Sequence, residues 1–201
     1  MQELWRLKLD WNDSLKIQLE SQWKRFVTFL STINTLNTAR YILLDYALKI
    51  ELYGFSDASE KACGAAIYVR CLNNSGEIST NLLRSKSRIA PLTTTILRLE
   101  LCAAVLLTKL AQKTITSMKI SFHSTVLWTD SIFALAWIKN DSSVLKPFVR
   151  NRVSVIQNLT EVRAWKHVPS QENLADIVSR AIDPEKTQDG GLVRRSYKII
   201  Q

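Results

Sequence analysis

Four carboxylates in this 201-residue chain stand where the surrounding pattern favours apolar side chains. Asp57 follows the apolar run Leu52-Tyr53-Gly54-Phe55, and Asp130 ends Val126-Leu127-Trp128-Thr129. Glu100 is flanked by Leu97, Leu99, Leu101, Ala104 and Val105; Asp176 lies within Leu174-Ala175-Asp176-Ile177-Val178. A partly buried carboxylate is costly unless a cation or metal answers it. Taken singly, each has an ordinary reading. Asp57 shapes an Asx turn, Asp130 caps a helix beginning at Ser131, and Glu100 and Asp176 face water. Taken together, the four make a hard, all-oxygen ligand set that suits Mg²⁺ or Mn²⁺ rather than zinc. Such a set can hold two ions about 3.5–4 Å apart, the arrangement that activates water in phosphodiester hydrolysis.

The elements that must position these acids follow from periodicity. Apolar residues at Leu15, Leu19, Trp23, Phe26, Leu30 and Ile33 recur at threes and fours, which predicts an amphipathic helix from Leu15 to Leu36, with caps within Asn12–Ser14. From Ile50 the pattern becomes extended. Strands are expected at Ile50–Phe55, Ala65–Leu72 and Ile78–Ile89, with Asn73-Asn74-Ser75-Gly76 as a turn. A long helix from Leu97 to about Thr116 follows, then a strand at Thr125–Thr129 and a short helix through Ile138. Pro147 opens another helix, Phe148–Leu159; Val162–Val168 reads as a last strand and Glu172–Ala181 as a last helix. Hairpin-like strands followed by alternating helices and strands predict an α/β domain with a mixed sheet.

Composition narrows the function classes. Lys and Arg number 27 against 18 Asp and Glu, a net charge of +9, which points to a polyanionic partner. Between Arg84 and Lys119 there are seven basic residues and one acid, Glu100. Read as a phosphate-tracking stretch, this makes Lys86, Arg88 and Arg98 candidate nucleic-acid contacts; a solvated basic face is the plain alternative. With five glycines, and no GxGxxG or GxxxxGK[ST], dinucleotide and P-loop chemistry are excluded. Cys63, Cys71 and Cys102 form neither a CxxC nor a disulfide framework, so free thiols in a reducing compartment are expected. The absence of a secretory pattern and of a long apolar span predicts a soluble, intracellular protein with no membrane association.

The motifs themselves resemble a known family. Glu51-Leu52-Tyr53-Gly54-Phe55-Ser56-Asp57-Ala58-Ser59, Arg98-Leu99-Glu100-Leu101-Cys102-Ala103-Ala104, Trp128-Thr129-Asp130-Ser131, and His167-Val168-Pro169-Ser170 with Asn173-Leu174-Ala175-Asp176-Ile177-Val178-Ser179-Arg180 are similar to the ribonuclease H region of Bel/Pao-class long-terminal-repeat retrotransposon polyproteins. The four blocks keep the family's order. The resemblance implies the ribonuclease H-like fold, a five-stranded mixed sheet flanked by helices, with an N-terminal helical extension. It implies Asp57, Glu100, Asp130 and Asp176 as catalytic, metal-binding acids around two Mg²⁺ or Mn²⁺ ions. It also implies a helical segment over 1–49 joining a reverse transcriptase to the domain at 50–183, with a polar tail at 184–201.

Many ribonucleases H carry a histidine in the loop before the last acid. Here that loop reads Ser170-Gln171-Glu172, so His167 is given no catalytic role. The expected function is metal-dependent hydrolysis of the RNA strand of RNA–DNA hybrids, within a polyprotein whose reverse transcriptase and integrase parts are further partners. The alternative is a degenerate fragment that binds nucleic acid without cutting it. A transposase of related fold is disfavoured, because it would order its acids Asp, Asp, Glu.

Overall fold

The computed structural model describes residues 7, 8, 10, 12–30 and 41–180, which fall in two compact units on either side of residue 38. In the first unit, helix α1 spans Ile17–Leu30 and carries an exposed Glu20–Lys24 ion pair at 2.6 Å. The caps expected at Asn12–Ser14 are not used. The amides of Leu19 and Glu20 donate to the Lys16 carbonyl, so the helix opens two residues later. Trp23, Phe26 and Leu30 on its apolar stripe remain 40–58% exposed. The part of the expected helix beyond residue 30, up to Leu36, lies outside the described residues, as does the expected tail at 184–201.

The second unit is built on a five-stranded sheet of order β3-β2-β1-β4-β5. β1 (Ala47–Ala58), β2 (Ala62–Asn73) and β3 (Ile78–Ile89) form an antiparallel meander. Its second turn is shaped by Asn73, whose Oδ1 accepts from the amides of Ser75 and Glu77, and by Gly76 at φ +80°. Helix α2 (Ile96–Ser117) crosses over to β4 (Ser124–Thr129), which pairs in parallel with β1. After α3 (Ile132–Lys139) and α4 (Pro147–Leu159), β5 (Trp165–His167) pairs in parallel with β4, and α5 (Asp176–Ser179) closes the described chain. The mixed sheet follows from the connections: short turns give antiparallel pairs, and helical crossovers give parallel ones.

Each face of the sheet buries its own core. Leu52, Ile67, Leu101, Leu107, Leu127, Ile156 and Trp165 pack under α2 and α4. Phe55, Tyr68, Val168 and Leu174 fill the opposite face, with Phe55 edge-on to Tyr68 at 5.8 Å between ring centroids. Two glycines set how closely the helices approach. A Cβ on Gly54 would lie 2.7 Å from Leu107 Cδ1, and one on Gly64 would lie 2.7 Å from the Ser179 backbone nitrogen. Among the described residues no helix is long and apolar enough to cross a membrane.

Two expectations need correction. The last strand is shorter than the expected Val162–Val168: a 3₁₀ turn, Val162–Ala164, precedes Trp165, closed by the Ala164 amide donating to Glu161 O at 3.0 Å. The expected helix from Glu172 to Ala181 is broken into a 3₁₀ turn, Ser170–Glu172, and α5; position 181 lies outside the described residues. The cause is Asn173, which is 1% exposed. Its Nδ2 donates to the Ser56 carbonyl at 2.9 Å, and its Oδ1 accepts from the Ala175 amide at 3.1 Å. An asparagine pinned to β1 cannot also sit in a regular helical turn.

Asn173→Ala should therefore lower unfolding free energy by about 1–3 kcal/mol, the cost of orphaning a buried carbonyl. Urea unfolding of the two proteins measures it, and a difference near zero would show that the bond to Ser56 carries no stability.

Candidate metal centre

Strand pairing brings the first two acids together. β1 and β4 run parallel with Ser56 opposite Thr129, so Asp57 and Asp130 emerge at the same ends of neighbouring strands. Asp130 does not cap α3. Ser131 does so, accepting from the Ala134 amide at 3.2 Å, which leaves the Asp130 side chain for the cluster. Nor does Asp57 shape a turn: it is still paired within β1, opposite Gly64 of β2.

Glu100 enters from the opening turns of α2. Leu99 and Ala103 pack against Ala58 and Cys63 while Leu101 enters the main core, which leaves Glu100 beside the end of β1 at 9% exposure. One carboxylate oxygen from each of Asp57, Glu100 and Asp130 lies within 4.8 Å of the others. Asp176 is not part of that group. Its Oδ1 accepts from Arg180 Nε at 2.5 Å, an i,i+4 pair on the last turn.

The electrostatics mark this as an unanswered concentration of negative charge. Glu100 Oε2 and Asp130 Oδ1 are buried, and no hydrogen bond from the described residues reaches them. Burial, then the charges of Asp130 and Asp57, push Glu100 up to about 8, against a smaller lowering by the Ala58 backbone amide. Burial likewise raises Asp57 to about 6, aided by Asp130 and Asp176 and opposed by the Ser179 hydroxyl and by Arg180. Two orphaned carboxylate oxygens in an all-oxygen cluster fit a hard divalent cation, with Asp57, Glu100 and Asp130 as the residues that would hold it.

The supporting side chains were not singled out by sequence reasoning. The Ser179 hydroxyl is fully buried and donates to Asp57 Oδ2, and the Ser179 carbonyl accepts from Ser59 Oγ at 2.8 Å. His167 lies on β5, as its place in the sequence implied, with Nε2 3.2 Å from the Asp130 carbonyl oxygen. Ser179 and Arg180 do lie in the fourth sequence block. Nothing in local pattern distinguishes them from surface residues, because the bonds they make depend on how α5 sits against β1 and β2.

Basic residues form the rim of a cavity that none of the three acids lines. Lys86 and Arg88 are exposed on the edge strand β3 and line a cavity of about 610 Å³ together with Lys109, Lys113 and Arg152. Arg98 lies over the Phe148 ring at 4.8 Å and Arg152 over the same ring at 3.5 Å; Arg152 Nε also donates to Cys102 Sγ at 3.2 Å. The sequence placed Lys86, Arg88 and Arg98 on one basic stretch but gave no sign of Arg152, which reaches the cavity from α4.

Meander, helical crossover and two parallel strands in this order define a ribonuclease H-like fold, with an acidic cluster able to take a divalent metal. The chain belongs to the Pao retrotransposon-like RNaseH-like domain family, whose match spans residues 1–131 and so includes Asp57, Glu100 and Asp130. Among solved structures, LC11 ribonuclease H1 from compost, in complex with an RNA/DNA hybrid, is 19% identical with a TM-score of 0.45, covering 69% of this chain and 99% of that one. Ribonuclease H1 of Halobacterium salinarum is 16% identical, with a TM-score of 0.38 and coverages of 70% and 98%. The protease–reverse transcriptase of prototype foamy virus is 13% identical, with a TM-score of 0.35, covering 81% of this chain and 23% of that chain. A comparison with curated proteins returns no match.

The raised carboxylates give a pH dependence of known sign. Both acids hold their proton more tightly folded than unfolded, where they titrate near 3.8 and 4.5. The stability this contributes is whole below about pH 4 and is lost as pH rises through about 6 for Asp57 and about 8 for Glu100. Melting temperature in metal chelator should fall across this window, and Glu100→Gln should flatten the upper part. A wild-type profile as flat as that of Glu100→Gln would mean that Glu100 is not in the crowded cluster.

Proposed function

We propose that this chain is a metal-dependent endoribonuclease that hydrolyses the RNA strand of RNA–DNA hybrids, with 50–183 as the catalytic unit and 1–49 as its helical connection to a reverse transcriptase. The observation that carries the reading is the convergence of Asp57, Glu100 and Asp130 within 4.8 Å, with oxygens of two of them buried and unanswered. Asp57, Glu100 and Asp130, joined by Asp176, are the proposed ligands of two Mg²⁺ or Mn²⁺ ions. Bound there, the ions supply an activated water and charge stabilisation for the leaving oxygen.

The chain's own residues do the rest. Ser179 fixes one oxygen of Asp57, which orients that carboxyl toward its neighbours. Burial and the neighbouring acids push Glu100 up to about 8, a shift that positive charge at the site would reverse. Lys86, Arg88 and Arg98 hold phosphates of the hybrid, an interaction that positions without reading base sequence. Choice of the RNA strand is assigned to its 2′-hydroxyls, displayed across a shallow minor groove. The reverse transcriptase and integrase parts of the polyprotein are the proposed further partners. A second reading, a non-cleaving hybrid-binding domain, is favoured by one observation: Asp176 is paired with Arg180 and is not among the three acids that lie within 4.8 Å of one another.

A labelled RNA–DNA hybrid incubated with Mg²⁺, against duplex RNA and duplex DNA controls, separates the readings. Wild-type protein should cut only the RNA of the hybrid. Asp57→Asn should cut at least about 100-fold more slowly, the scale of losing one preorganised charge, while still binding the hybrid. Unchanged turnover in Asp57→Asn would remove it from the site, and binding without any cleavage by the wild type would favour the second reading.

The basic rim has its own test. Replacing Lys86 and Arg88 by Ala should weaken binding alike for all hybrid sequences. The slope of log affinity against log salt should fall by about 0.7–0.9 for each phosphate left without its cation. A slope equal to that of the wild type would return these residues to a merely solvated face.

A further inference from the structure

The four acids are not equivalent. Asp57, Glu100 and Asp130 face one another, and oxygens of Glu100 and Asp130 have no donor among the described residues. Asp176 already has a cation. Arg180 Nε lies 2.5 Å from its Oδ1, with the Arg180 side chain 65% exposed and that of Asp176 21% exposed. The same turn reaches the first acid as well, since Ser179 donates to Asp57 Oδ2 and the positive charge of Arg180 acts on Asp57. The placement is fixed by the helix itself: Arg180 caps α5, its backbone amide donating to the Asp176 carbonyl at 3.1 Å.

A cation entering the group of three displaces no ion pair. One that uses Asp176 must compete with a guanidinium already in place. We propose that Arg180 is a built-in counter-ion of the acidic site, which keeps Asp176 from a second divalent ion and makes metal binding occur in two unequal steps. The inference rests on the metal-dependent reading above and adds a regulatory residue to it. Because the pair is exposed, the competition is modest; such pairs shift an equilibrium by about two- to five-fold rather than by orders of magnitude. The group of three sets whether the first ion binds, and Arg180 sets the concentration at which the second follows.

Titration calorimetry of the metal-free full chain with Mg²⁺, repeated with Mn²⁺, tests this without any cleavage readout. Wild type should show a tighter and a weaker step. Arg180→Gln should tighten the weaker step by about two- to five-fold and shift the tighter one by less, since Arg180 acts on Asp57 only at longer range, and Arg180→Lys, which keeps the charge, should stay near wild type. In an Asp176→Asn background, Arg180→Gln should leave the weaker step unchanged, because the group it competes for is gone. A weaker step that is unchanged or loosened in Arg180→Gln overturns the inference. A single step in both proteins overturns it as well, while leaving the cluster of Asp57, Glu100 and Asp130 standing. No binding in either protein removes the metal-dependent reading and this inference together.

Discussion

Burial of three neighbouring carboxylates, with their mutual repulsion added to it, is the constraint on which this structure turns. Asp57, Glu100 and Asp130 approach within 4.8 Å in a place that water reaches poorly. A fold governed only by its own stability would separate or replace them, since crowded like charges in a poor solvent are unfavourable. The chain instead holds them together, at the cost of pushing Glu100 up to about 8 and Asp57 to about 6. Carboxylates perturbed in this way cluster at functional sites.

The rest of the domain keeps the three in place. Parallel pairing of β1 with β4 sets Asp57, still within the sheet, beside Asp130, which directly follows β4. α2 lies close over β1 because Gly54 presents no side chain to Leu107, and that closeness carries Glu100 to the strand ends. On the other face Gly64 admits the backbone of α5, and Asn173 anchors the approach to it by bonding to Ser56, the residue before Asp57. The hydroxyl of Ser179 then answers one oxygen of Asp57. Packing on both faces of the sheet thus converges on one carboxylate.

How much of this was legible in the sequence depends on the range of the interactions involved. The long apolar elements were visible: β3 is Ile78–Ile89 as its pattern indicated, and α2 differs from its expected span by a residue at each end. Pro147 opens α4 for the reason proline favours a first turn, needing no amide partner there. The acids stood out because their types contradicted their neighbours. What the sequence concealed is non-local. The bond from Asn173 to Ser56 spans 117 residues, and with the Asn173–Ala175 bond it explains why the expected last helix is broken. Arg180 was given no role by its place at the end of the fourth block, because its pairing with Asp176 matters only once Asp57 is known to lie alongside. Locally, Asp130 read as a cap for a helix beginning at Ser131; the structure gives the cap to Ser131 itself.

Three carboxylates within 4.8 Å of one another are placed to make one cation site. Diffraction from crystals grown with Mn²⁺, collected for anomalous signal, tests it most directly. A strong peak should appear between Asp57, Glu100 and Asp130, with oxygen distances of about 2.0–2.3 Å expected for a hard divalent ion. Crystals soaked to millimolar Mn²⁺ with no peak among these residues, or with peaks only elsewhere on the surface, would contradict it.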